Sequence, residues 1–138
     1  MSAIAIDQHQ LASTFLSVGK FSNSLRDATI DEARVAKTGE KFAVIENAQR
    51  MASGFRVTCE GIVGNILKGI DPSSAFKIMS RYEGHLIDSA IQVLATEKVK
   101  DFAAKAFAGD DGVTPEQKAN ILRNHGFQRL ADLAVNPA

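Results

Sequence analysis

Seven small or apolar side chains, Ile45, Ala48, Ala52, Phe55, Cys59, Ile62 and Ile66, recur in steps of three and four residues without a miss. A repeat averaging about 3.5 residues keeps one helix face turned towards the same neighbour over several turns. The spacing therefore predicts a long helix over about 41–68 with one buried stripe. Gly69 and then Asp71-Pro72 predict its end and the next start: Asp71 offers a capping oxygen, and Pro72 needs no donor in a first turn. From there to about residue 95, Ala75, Met79, Tyr82, Leu86, Ala90 and Val93 make a second stripe, widened by Ile87, Ile91 and Leu94. The short link Gly69-Ile70-Asp71 makes 41–68 and 72–95 antiparallel neighbours.

On the N-terminal side, Leu11, Phe15, Val18, Phe21 and Leu25 lie at helical spacing within an amphipathic helix over about 4–27, with Gly19 as its weak point. Thr29 followed by Glu32 has the form of a capping box and predicts a second helix from there to Gly39. Beyond residue 95, Thr96 caps a helix to Gly109 with Val99, Phe102, Ala103 and Phe107 inward, and Asp110-Asp111-Gly112-Val113 is a loop. Thr114-Pro115-Glu116-Gln117 is the clearest start signal in the chain, with a capping hydroxyl, a first-turn proline and a glutamine placed to reach back. Asn124-His125-Gly126 ends that helix. Phe127 folds back as the apolar contact after a glycine cap, ahead of a last helical turn through Leu130 and Leu133. The only short apolar run with a strand-like look, Phe42-Ala43-Val44-Ile45, continues at helical spacing. The expected fold is all-α: one domain over 1–138, a five- to six-helix bundle around the antiparallel pair 41–68 and 72–95.

Composition narrows the function classes. The 138 residues are 45% hydrophobic and 23% charged, which suits one globular domain. Sixteen basic and sixteen acidic residues cancel, so no global field gathers nucleic acid or an anionic membrane. Asp7, Gln8, His9 and Gln10 interrupt what a secretory signal needs as its apolar core, and no run approaches the roughly 20 apolar residues of a membrane span. The single cysteine leaves no intrachain disulfide and suits a reducing compartment, so the expected location is the cytoplasm.

Candidate chemistry is sparse. Cys59 sits on the seam between Phe55 and Ile62, where a cysteine is a small apolar filler rather than a nucleophile. His9, His85 and His125 include no pair at ligand spacing, and Asp110-Asp111-Gly112 lacks the continuation of a calcium loop. The helix-turn-helix form of 114–133 fails as a DNA reader, because its second helix offers Gln128 and Arg129 and then turns apolar. Gly54 and Gly61, seven apart, share a face of the long helix; each costs about 1 kcal/mol against alanine unless a close helix approach offsets it.

These patterns predict a non-enzymatic intracellular protein-interaction module: an adaptor, inhibitor, chaperone or structural subunit. No catalytic residue, metal or cofactor is expected. Its partners are proteins, including a second copy of itself, and neither nucleic acid nor membrane. The expected interface is the N-terminal stripe Leu11, Phe15, Val18, Phe21 and Leu25, left exposed, together with Gly54 and Gly61. The alternative is a helical carrier or sensor that holds an apolar ligand or tetrapyrrole between helices, with His85 and Tyr82 as polar handles.

Overall fold

The computed structural model describes residues 2–36 and 39–135; Met1, residues 37–38 and residues 136–138 of the single domain expected over 1–138 lie outside the described residues. Seven α-helices and one 3-10 turn form an all-α bundle, and no strand occurs among the described residues.

The first helix, α1, is Ser2–Ala36, 35 residues without a break. Two expectations are corrected here. Gly19 does not interrupt it, and Thr29 with Glu32 does not start a second helix. The buried Thr29 hydroxyl donates back to the Arg26 carbonyl at 2.7 Å instead of capping a free amide. Thr14 and Ser22 do the same towards Gln10 and Val18, at 2.7 and 3.0 Å. Such back-bonding satisfies a hydroxyl inside its own helix, so these small polar residues are buried without needing partners elsewhere.

Helix α2, Glu40–Leu67, follows Gly39, whose φ of 98° is the left-handed conformation that glycine adopts without strain. At its end Gly69 takes φ 79°, and Ile70 N–H donates to the Asn65 carbonyl at 2.9 Å, closing the last turn in the manner of a Schellman cap. All seven seam residues from Ile45 to Ile66 are buried as their spacing predicts. Their main neighbour is α1, which runs antiparallel: Gln8 near one end of α1 donates to the Ile66 carbonyl at 2.8 Å, and Gly19 lies over Cys59.

The long hairpin is therefore α1 with α2. The stretch expected as one helix over 72–95 is two, α3 (Ser73–Met79) and α4 (Glu83–Val93). Between them Arg81 N–H donates to Ile78 and Tyr82 N–H to Met79, three residues back, which tightens the chain into a turn. Helix α4 does return along α2, as the secondary layer of that pairing. Asp71 caps α3 by accepting from Ser73 N–H at 3.0 Å and Ser73 Oγ at 2.6 Å, which hold its carboxyl below the usual range.

Three short helices close the bundle: α5 (Thr96–Ala106), α6 (Pro115–Asn124) and α7 (Gln128–Val135), with a 3-10 turn at Gly109–Asp111. Thr96 begins α5 without a side-chain cap. The Thr114 box forms in full, Gln117 N–H to Thr114 Oγ1 at 3.1 Å and Thr114 N–H to Gln117 Oε1 at 2.9 Å. Gly126 takes φ 90° and Phe127 is fully buried behind it. In the centre, Phe15 stacks on Phe76 with centroids 4.4 Å apart and meets the edge of Phe127 at 5.4 Å. Offset and edge contacts of this kind add to the value of burial alone.

Two buried ionic groups hold the C-terminal helices. Glu83, at the start of α4, accepts from the N–H of Arg129 at 3.0 Å and of Leu130 at 3.1 Å, one on each oxygen, so a carboxylate from a distant helix caps α7. Lys118 is buried in α6; its ammonium donates to the Ala108 carbonyl and meets Asp111 Oδ2, both at 2.9 Å. Burial alone would raise the Asp111 carboxyl, but the Lys118 ammonium and the Val113 N–H outweigh it and hold it below the usual range. That pairing gives the Asp110-Asp111-Gly112 turn a structural task.

Candidate functional site

The expected exposed stripe is not exposed. Phe15, Val18, Phe21 and Leu25 are 0% accessible and Leu11 is partly buried, all within this chain's own core. The physical reason is the complementary seam on α2, where Ala48, Ala52 and Cys59 leave room for larger α1 side chains, while α4, α5 and α6, with the rings of Phe76 and Phe127, cover the rest of α1. That surface is corrected from interface to core.

The outward face of α2 is different. An added Cβ at Gly54 or Gly61 meets nothing within 4 Å, so no helix of this chain approaches there, and the close packing expected at these glycines is absent within the chain. Gly54 instead borders an open groove of about 410 Å³ between α2 and α3, with Met51, Phe55 and Thr58 on one side and Ala75, Ile78, Met79 and Tyr82 on the other. Ile78 is 58% and Tyr82 49% exposed, and Val57 stands on the neighbouring turn of α2, also exposed. The Thr58 hydroxyl bonds back to the Gly54 carbonyl at 2.8 Å, so the groove wall presents its methyl and no free donor. Arg50, at the rim, is paired with Glu46 at 2.7 Å.

Tyr82 and His85, the polar handles of the alternative reading, lie near each other with ring centroids 6.1 Å apart. Both are exposed on the outside of the α3–α4 turn, beside a shallow hollow of about 230 Å³ that also takes in Asn47 and Asp88. His125 packs on Phe76 with centroids 4.6 Å apart, and burial lowers its pKa against the opposing pull of Asp71.

Cys59 is 1% exposed, and burial, reinforced by Glu60, pushes its thiol up to about 12. A thiol so placed stays protonated and unreactive at neutral pH. Labelling of Cys59 by a thiol reagent is expected to be slow in native protein and fast in denaturant. Equal rates in both would show the seam to be open.

Among the described residues no group of three His, Cys, Asp or Glu side chains is placed to hold a metal ion, and no helix is long and apolar enough to cross a membrane. Sequence reasoning passed over three charged groups that matter in the fold: Glu83, Lys118 and Arg56, whose Nε is shielded from water with no hydrogen-bond partner. Glu83 had a readable signal, a carboxylate in register between the buried Met79 and Leu86. Comparison with known families, with curated proteins and with solved structures gives no match to this chain, so its functional reading rests on the geometry of the groove and its surroundings.

Proposed function

We propose that this chain is a non-enzymatic assembly protein, a helical subunit that pairs with a second copy of itself through the α2–α3 groove. The observation that carries the reading is Gly54: a glycine inside a 28-residue helix, bordering an apolar groove, with no neighbour in its own chain to require it. A glycine there costs about 1 kcal/mol against alanine, and a helix laid across it from outside would offset that cost by close approach. Val57 and Gly61 extend the same face, and the exposed Ile78 and Tyr82 flank it.

A second copy fits better than a charged partner because the one charged side chain lining the groove, Arg50, is already paired with Glu46 on its own helix. A face neutral in this way meets its own image without stranding like charges, as a two-fold interface requires. The function is then that of a protein-interaction module acting without nucleic acid or membrane. We place it in the cytoplasm, where a lone thiol such as Cys59 stays reduced.

The test is sedimentation equilibrium at micromolar concentration on the full chain, Gly54→Glu and Ile78→Glu. Both positions are exposed, so the folded helical signal should persist. A dimer for the full chain and a 14.8 kDa monomer for both variants is the expected result. A full-length monomer, or a dimer that tolerates both charges, rejects the groove as the interface.

A further inference from the structure

The outward face of α2 is built symmetrically about one residue, the exposed Val57. Ser53 and Gly61 stand four positions to either side of it, Arg50 and Gly64 seven, and Glu46 and Lys68 eleven. At 3.6 residues per turn these offsets all fall within about 40° of Val57, so the seven positions make one strip about 33 Å long. Arg50, Val57, Gly61 and Lys68 are exposed, and an added Cβ at Gly61 or Gly64 meets nothing within 4 Å, so no described helix of this chain lies across the strip.

Charge on this strip has a direction. Glu46 stands at one end and Lys68 at the other. Lys68, the helical C-cap residue of α2, makes no ion pair among the described residues. The Glu46 carboxylate accepts from Arg50 at 2.7 Å through one oxygen and keeps acceptor capacity on the other.

Resting on the reading of this side of α2 as a self-association face, we propose that the two copies of α2 cross antiparallel on a two-fold axis at Val57, with Glu46 of each copy paired to the partner's Lys68. Val57 then meets its own image, Ser53 meets the partner's Gly61, and Arg50 lies over the partner's Gly64, where the missing side chain leaves room for the guanidinium. Two equivalent ion pairs close the ends of the seam. A parallel crossing sets Glu46 on Glu46 and Lys68 on Lys68, like charges opposed at both ends, which an interface disfavours. The order of charge along the strip thus selects the orientation of the partner, which apolar area alone leaves open.

Charge reversal tests the register. Sedimentation equilibrium is run on the full chain, on Glu46→Lys, on Lys68→Glu and on the double variant, with circular dichroism to confirm that each is folded. Each single reversal should raise the dimer dissociation constant roughly tenfold, since two attractive pairs become repulsive, and the double reversal should return it to within about threefold of the parent. A nitroxide on Lys68→Cys reads the orientation directly, because the buried Cys59 does not compete for the label. The rise of α2 puts the two labels about 33 Å apart in the antiparallel dimer. A distance under about 20 Å, as for helices side by side in parallel, or a double reversal no tighter than the single ones, overturns the antiparallel crossing while the dimer itself stands. A full-length monomer overturns the crossing and the self-association reading together.

Discussion

Truncating Phe15 to alanine is expected to lower stability by about 4 kcal/mol, a fall in Tm of about 15 °C for a chain of this size. The ring is fully buried, stacked on Phe76 at 4.4 Å and edge-on to Phe127 at 5.4 Å, so its removal empties the point where α1, α3 and the start of α7 meet. The surrounding helices are held by their own seams and cannot close the void. Introducing charge at the same surface, as Phe15→Glu with Phe21→Glu, should prevent folding altogether, because a carboxylate in that core has no partner. Thermal melts followed by circular dichroism check both. A loss below about 1 kcal/mol for Phe15→Ala, in the range of an ordinary surface change, would remove the ring from the core.

Glu83→Ala is expected to cost about 3 kcal/mol, since two charge-assisted hydrogen bonds to the first amides of α7 disappear and leave the Leu130 donor buried and the Arg129 donor partly buried. Glu83→Gln should recover little, because its single carbonyl oxygen serves one amide while its NH₂ faces the other. Hydrogen exchange gives the specific readout: Arg129 and Leu130 amides lose protection in both variants, and unchanged protection would disprove the cap. The pH dependence has a definite sign. Burial raises the Glu83 carboxyl above 4.5, while the two α7 amides and Arg129 hold it partway back. The folded chain therefore binds this proton more tightly than the unfolded one. That contribution to stability is fully present below about 4.5 and is lost as pH rises through the folded pKa. In Glu83→Gln this part of the pH slope vanishes.

Several local patterns read true. The α2 seam follows from spacing, and the Thr114 box and the Gly126 turn follow from backbone chemistry within a few residues. The α3–α4 break escaped because Met79 and Leu86 keep helical spacing across it, and the turn residues Ser80, Arg81 and Tyr82 include neither proline nor glycine, Gly84 standing already inside α4. Thr29 shows the converse: a correct capping signature was overridden once the residue was buried and its hydroxyl satisfied one turn back. The fate of Phe15, Val18, Phe21 and Leu25 was not local at all. Their amphipathic spacing demands a cover but does not say whether the cover belongs to the same chain, and here it comes from α2 and the helices beyond it. The groove was half visible, in Gly54, while its other wall depended on how α3 packs.

The long hairpin also imposes an order of events on a ribosome. Helices α1 and α2 emerge first and can zip together early, but Phe15 then waits for Phe76, and longer still for Phe127. Synthesis at roughly 5–20 residues per second makes that wait last seconds, during which the far side of α1 lies bare to solvent. A nascent chain stalled before α7 would carry both an uncovered aromatic face and an unpaired Glu83, and the bare apolar surface is of the kind that makes unfinished chains prone to aggregate.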